Sequence, residues 1–286
     1  MNFSPLQSNE KITFYGAGSM AEAIVRGVIA RQVAQPVQIA MFNRSNQERL
    51  EFLSGSYGVR TAAAQADKDE MLREASIICL AMKPKDAGEA ISRMRPLVSD
   101  HQLIISFIAG LSVATIQQLL GRNLPVARAM PNTSSSIGQG MTGISFSPEV
   151  SEEQQRTTVA FFESVGAVAV IEEQQQEILT GVSGSGPAYI YYMMEAMIAA
   201  GVEGGLSPEQ SRTLTEQTVL GAVMMMRETK EDPALLRKAI TSPNGSTQAA
   251  IQVLSDGNFT EHVKAAVLRA AERSREMGEE VRKALQ

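Results

Sequence analysis

The chain has 286 residues, enough for two domains of ordinary size, and 44% of them are hydrophobic, the proportion of a soluble globular protein. A net charge of −5 excludes the basic surface that nucleic-acid binding requires. The one cysteine, Cys79, excludes an internal disulfide, and neither His101 nor His262 has a Cys, Asp or Glu at metal-ligand spacing, so no metal centre is expected.

Residues 1–10 are polar and lack the basic start and apolar core of a signal peptide, which predicts a cytoplasmic protein. The first strand is expected at Ile12–Tyr15. Gly16, Ala17, Gly18, Ser19, Met20 and Ala21 follow it, and an alanine-rich amphipathic run begins there. This strand, glycine turn and helix start match the G-x-G-x-x-A form of the dinucleotide fingerprint. Gly16 permits the sharp turn, and Gly18 lets the backbone approach a pyrophosphate. Ala21 lets the helix pack close on the strand. The helix N-terminus turns free N–H groups and a partial positive charge toward the phosphates.

A second strand is expected over 37–42, closed by Asn43, Arg44 and Ser45. An NAD-binding fold usually carries an acidic residue here for the ribose 2′-hydroxyl. None is present. Arg44 can stack on adenine or pair with a 2′-phosphate, and Asn43 and Ser45 can donate hydrogen bonds to it. The pattern predicts NADPH over NADH, with an ordinary turn and helix cap as the competing reading. A helix over 47–53, a short strand near Val59 and a helix over 67–74 come next. Residues 76–80 are continuously apolar, as in a parallel strand buried on both faces, and Cys79 reads as a small buried hydrophobe within it. Ala81, Met82, Lys83 and Pro84 leave this strand toward the ligand crevice. There Lys83 either touches phosphate or ribose or is simply exposed.

Another strand is expected over 103–108, ending in Ala109 and Gly110, a small pair that would let a nicotinamide or ribose approach. Ser112 is read as the cap of a helix to Leu120. Strands over 125–129, 141–146 and 167–171 and a helix over 152–164 complete an alternating pattern. Residues 1–171 thus read as a Rossmann-type domain with a doubly wound sheet and crossover helices.

No strand is expected from Glu172 onward. Residues 172–286 read as all-α, with helices over 173–180, 186–203, 208–228, 233–239, 247–255 and 260–284. The helix from Gly186, with sequence PAYIYYMMEAMIAAGV after it, is apolar almost all round, the signature of a buried helix. The helical half is too small to hide it on every side, which predicts an oligomer in which helices of two chains pack together. Its apolar run is interrupted by Glu195 and is short for a membrane span, so no membrane partner is expected. The methionines of this half, such as Met193, Met197 and Met224, read as packing filler. The closing helix carries charges at i,i+3 and i,i+4, a solvated face.

Two stretches of small and hydroxyl residues stand out: residues 183–189, which open the apolar helix, and 241–247, which open a later one. Such a loop at a helix N-terminus can grip a carboxylate with backbone N–H groups and hydroxyls, without a formal cation. Helix capping alone needs one Ser or Thr. For the first stretch, close helix packing is an equal explanation.

At these residues the chain resembles the pyrroline-5-carboxylate reductases. The pieces that carry the resemblance are FYGAGSMAEAI, NRS, LAMKP, AGLS, RAMPNT, SGSGPAY and TSPNGST, in that order along nearly the whole chain. The resemblance implies an N-terminal dinucleotide domain and a C-terminal all-α dimerisation domain that interlocks two subunits, with dimers assembled into decamers in many members. It implies reduction of the ring C=N of 1-pyrroline-5-carboxylate by NADPH, with NADH as the alternative, giving L-proline in the last step of proline biosynthesis. Carried onto this chain, Gly16 to Ala21 would hold the pyrophosphate, and Asn43, Arg44 and Ser45 the 2′-phosphate. Ala81 to Pro84 and Ala109–Gly110 would lie along the ribose and nicotinamide. Thr247 would hydrogen-bond the substrate nitrogen as the catalytic residue, and Ser242, Gly245 and Ser246 would hold the carboxylate. The chain departs from the family pattern at Asn244, a usual glycine, at Ser134, a usual proline, and at Met224, often a lysine.

The residue inventory agrees with imine reduction. A protonated C=N carbon is already electrophilic, so hydride delivery needs proximity and orientation above all. The competing enzyme is a hydroxyacid dehydrogenase of the same two-domain plan, which resemblance endows with a catalytic lysine after the interdomain G-x-G. The matching position here is Ile190, and no lysine occurs from Gly184 to Thr229. A non-enzymatic relative that binds nucleotide would be marked by loss of Thr247 or of the glycine turn, and both are intact; a specialised, non-biosynthetic relative stays open as an alternative.

Overall fold

The computed structural model describes residues 6, 7 and 9–283. Most of the polar stretch before the first strand, and Ala284 at the expected end of the last helix, lie outside the described residues. The chain divides into two compact units. The first comprises residues up to Ser185 together with the segment from Leu268 onward, and the second comprises Gly186–Val267. The division expected after residue 171 marks the end of the last strand but falls inside the first unit.

The first unit is built on an eight-stranded sheet. Its strands are β1 (Ile12–Tyr15), β2 (Ile39–Phe42), β3 (Arg60–Thr61), β4 (Ile77–Leu80), β5 (Leu103–Ser106), β6 (Val126–Pro131), β7 (Gly140–Phe146) and β8 (Gly166–Val170), in the order 3-2-1-4-5-6-7-8. Strands β1 to β6 run parallel, joined by helices α1 (Ser19–Ala30), α2 (Gln47–Tyr57), α3 (Gln65–Glu74), α4 (Pro84–Met94) and α5 (Val113–Leu120). The link from β6 to β7 holds only a 3₁₀ turn, Thr133–Ile137, ended by Gly138 at φ 72°. That is too short to cross the sheet, so β7 returns antiparallel. A helix, α6 (Glu152–Glu163), then restores a parallel pairing of β8 with β7.

Three local differences from the sequence reading have plain causes. Helix α4 is not among the expected helices because small alanines disguise its buried stripe of Ala87, Ala90, Ile91 and Met94. Strand β2 starts at Ile39 rather than Val37, because Gln35 and Gln38 form a capping box around a 3₁₀ turn. The Gln38 amide also donates to the carbonyls of Gln7 and Glu10, at 2.8 and 3.0 Å. The helix expected over 173–180 is instead a 3₁₀ turn, a short α7 (Gln176–Leu179) and a π turn, Thr180–Gly184.

Both sheet faces are covered, as parallel strands require. One face packs Phe14, Ile24, Phe161 and Phe162, and the other packs Ile78, Leu80, Ile91 and Ile104. Cys79 is buried on the first face, and burial pushes its thiol well above the ordinary range. Phe161 stacks 6.2 Å from Phe14 and meets Phe162 edge-on at 5.4 Å. Phe161→Ala is expected to cost about 3–5 kcal/mol, read as a lowered urea midpoint at fixed protein concentration. An unshifted midpoint would show that α6 contributes little to the core.

The second unit holds α8 (Gly186–Glu203), α9 (Pro208–Thr229), α10 (Pro233–Ala239), α11 (Ser246–Asp256) and the start of α12 (Phe259–Lys283). Helices α8 and α9 form a hairpin through Gly205, at φ 98°. Ser207 caps α9 by accepting from Gln210 N at 3.1 Å, with Pro208 at the first helical position. Ser211 Oγ reaches across to Ile198 O at 2.8 Å. The apolar surface of the pair stays open: no residue of α8 is buried, and Tyr192 is 77% exposed.

Candidate cofactor cleft and substrate loop

Register builds the first site. Tyr15, the last residue of β1, pairs with Phe42 on one side and Leu80 on the other, so β1, β2 and β4 end level. The residues that follow these strands are Gly16, Asn43 and Ala81. Gly16 N donates to Phe42 O and Ala81 N to Tyr15 O, both at 2.9 Å. Carboxyl ends of parallel strands at a change of strand order are where such folds place a ligand. A cleft of about 600 Å³ opens there, lined by Gly16, Ala17 and Gly18, by Asn43 and Arg44, and by Ala81, Met82 and Lys83.

The two glycines do different work. Gly16 has φ 121°, and a Cβ on it would overlap the Ala81 carbonyl. Gly18 has an ordinary φ of −77°, and a Cβ on it would meet nothing within 4 Å. What Gly18 keeps clear is therefore the space in front of the helix, not room for the chain itself. Gly18 caps α1 without a side-chain hydrogen bond, which leaves the N–H groups of Ser19, Met20 and Ala21 for a ligand. Ala21 is buried, as its packing role demands. This cradle fits a pyrophosphate.

Side chains absent from the sequence reading hold the turn in place. Arg49 Nε on α2 donates to Ala17 O at 3.0 Å, and its guanidinium pairs with Glu22 in the first turn of α1. Tyr57 donates to the other Glu22 oxygen at 2.7 Å. Burial raises the Glu22 carboxyl, but the hydrogen bonds from Arg49 and Tyr57 outweigh it and hold the group below its ordinary value. Arg49 thus neutralises an acid that would otherwise repel a phosphate at this helix end.

At the second edge the Arg44 side chain is 86% exposed and only 3.8 Å from Asp86. Asn43 is engaged within its own loop. Its amide donates to Asn46 O at 2.8 Å and its oxygen accepts from Asn46 N at 2.9 Å. The Asn43 side chain thus shapes the turn, Asn46 caps α2 by accepting from Arg49 N at 2.9 Å, and Arg44 and the exposed Ser45 stay available. Pro84 opens α4, with Lys83 as its cap residue. Ala109 and Gly110 do not line the cleft. Gly110, at φ 74°, backs directly onto Gly278 near the end of α12, with no room for a Cβ on either residue. Its smallness has a packing cause within the first unit.

Two of the sequence motifs meet at Asn132. Its amide donates to Ser183 O and its oxygen accepts from Met141 N, both at 3.2 Å. The 183–189 stretch is thereby tied at its start to the end of β6.

The 241–247 loop lies in the second unit. Asn244 sits at φ 60°, the left-handed conformation that its place in a usual glycine position requires. Its N–H donates to Gln248 Oε1 at 2.6 Å. Gly245 caps α11 without a side chain, and Ser246 and Thr247 form the first turn. The hydroxyls of Ser242, Ser246 and Thr247 are not spent on capping. Backbone N–H groups and hydroxyls at one helix end suit a carboxylate. Among the described residues there is no group of three or more metal-ligating side chains, and no helix is long and apolar enough to cross a membrane.

Residues 173–277 match the family profile described as pyrroline-5-carboxylate reductase dimerisation, and residues 11–110 match one described as NADP oxidoreductase, coenzyme F420-dependent. Pyrroline-5-carboxylate reductase 1 of Bacillus subtilis is 41% identical over 98% of this chain and 93% of its own length. The chain belongs to the pyrroline-5-carboxylate reductase family. The structure of a family member from Coxiella burnetii aligns with TM-score 0.85 at 36% identity, covering 94% of this chain and 99% of that one. The Plasmodium falciparum pyrroline carboxylate reductase, solved with NADP bound, aligns with TM-score 0.86 at 29% identity over 95% of this chain and 99% of that one. The family's two-part architecture is present here, a Rossmann-type sheet followed by a helical oligomerisation region. As a member of this family the chain is an NAD(P)H-dependent oxidoreductase acting on a C=N bond.

Proposed function

We propose that this chain reduces 1-pyrroline-5-carboxylate to L-proline with NADPH, holding the cofactor through residues 1–171 and the imino acid through residues 172–286. The observation that supports the cofactor half is the convergence of the glycine turn, Arg44 and Ala81 at the level ends of β1, β2 and β4. The free N–H groups after Gly18 receive the pyrophosphate, and Arg44, with Ser45 beside it, receives the 2′-phosphate. Asn43 contributes the shape of the turn through its own hydrogen bonds. Ala81 to Pro84 run along the ribose and nicotinamide. When bound, NADPH supplies the hydride.

On the substrate side, Ser242, Gly245 and Ser246 hold the carboxylate and Thr247 orients the ring nitrogen. Orientation is the main demand of this reaction, since the protonated C=N needs no strong general acid to accept hydride. The helical region pairs two copies of the chain, burying the apolar faces of α8 and α9 that stand open in one copy. We further place the enzyme in the cytoplasm as a homodimer whose copies assemble into a decamer, which light scattering in solution tests directly.

The test of the activity is the loss of NADPH or NADH absorbance with pyrroline-5-carboxylate. Turnover with NADPH supports the reading, and no turnover with either cofactor overturns it. Arg44→Ala is expected to weaken NADPH about tenfold and NADH little, because only NADPH carries the phosphate. Equal losses would remove the 2′-phosphate from Arg44.

A further inference from the structure

Lys68 on α3 is buried, with 8% of its surface exposed, although charged helix residues normally face water. Its ammonium donates to Asn43 O at 2.9 Å and lies 3.5 Å from Arg44 O. Among the described residues no carboxylate stands within ion-pair distance of it. Lys68 is also part of the cleft wall. A buried ammonium held only by neutral carbonyls is costly, and an anion close by offsets that cost. Two carbonyls use at most two of its three donors.

Arg44 alone is a poor discriminator. Its side chain is 86% exposed, so water and salt screen its charge, and its contact with Asp86 is a weak one at 3.8 Å. A charge fixed beneath the same loop is screened far less. We propose that Lys68 is a positioning residue for the cofactor's 2′-phosphate, fixing the Asn43–Arg44 backbone and adding a buried positive charge under Arg44, so that the cleft discriminates NADPH from NADH. This rests on the assignment of the 2′-phosphate to Arg44.

The test uses binding alone, on the full chain without turnover. Adenosine 2′,5′-bisphosphate and 5′-AMP are titrated calorimetrically into the wild type, Arg44→Ala, Lys68→Met, Lys68→Gln and Lys68→Arg. Lys68→Met is expected to weaken the bisphosphate about tenfold or more and AMP by less than about twofold. Lys68→Arg retains most of the preference because it keeps the charge. Lys68→Gln keeps a donor for Asn43 O without the charge, so it covers the case in which Lys68→Met fails to fold, and it shows the same selective loss. Equal losses of both ligands, or an unchanged preference in Lys68→Gln, would overturn the inference. A wild type that binds both ligands equally would sink the 2′-phosphate assignment itself. Loss of preference in Arg44→Ala but not in the Lys68 variants would sink only the role of Lys68.

Discussion

Gly16→Ala is expected to abolish measurable cofactor binding and to lower the melting temperature, whereas Gly18→Ala is expected to lose binding at an unchanged melting temperature. The difference follows from what each missing Cβ would meet. At Gly16 the backbone sits at φ 121°, and the new methyl would press on the Ala81 carbonyl and come within 3.0 Å of Met82 N. These are backbone atoms at the exit of β4, anchored by the pairing of Tyr15 with Leu80. They have no rotamer to change. Strain at a positive φ and overpacking together cost about 3 kcal/mol or more. At Gly18 the backbone is ordinary and a Cβ points into open space. Only a ligand is there to be displaced. Thermal melts with fluorescence titration of NADPH separate the two cases. A Gly18→Ala protein that binds NADPH normally would show that the pyrophosphate is not held in this cradle.

Thr247→Ala should leave the fold intact and lower kcat/KM about a hundredfold, the scale of losing one oriented hydrogen bond in a reacting complex. The hydroxyl makes no hydrogen bond within the described chain, and alanine is a better helix former than threonine in the first turn of α11. A stability change would therefore be small and of the opposite sign to a damaged fold. Thr247→Ser, which keeps the hydroxyl, should recover most of the rate. Full activity in Thr247→Ala would remove Thr247 from the site, while the loop could still hold the carboxylate through Gly245 and Ser246.

Much of the first unit was legible in the sequence because its signals are local. The strand, the glycine turn and the helix start at 12–24 are consecutive residues, and Ser112 and Ser207 announce their helices by accepting from Thr115 N and Gln210 N. Strand direction is not local. The return of β7 depends on the absence of a crossover helix between Pro131 and Gly140, which a list of strands does not convey. Long-range partners are hidden for the same reason. Arg49 and Lys68 look like ordinary charged helix residues until the fold brings them to Ala17 O and Asn43 O. Asn43 shows a local partner that composition does not reveal: its amide donates to Asn46 O three residues away. The apolar helix from Gly186 is expected to be covered by a second chain, and in one chain it is open, which fits the match of residues 173–277 to a dimerisation region.

The contact between Gly110 and Gly278 means that the nucleotide-binding body is not a contiguous piece of chain. Ala271, Ser274 and Val281 near the carboxyl end are buried in it, and Val281 joins the packing of the sheet's second face. A fragment stopped after residue 171 or 185 would leave this side of the sheet and the Ala109–Gly110 turn without their backing. Such a fragment is a poor candidate for separate expression, and a protease cut between the units would leave two pieces of one body on different peptides. A bulky group attached near Val281 would load the nucleotide-binding half of the enzyme, although that residue follows the helical region in sequence.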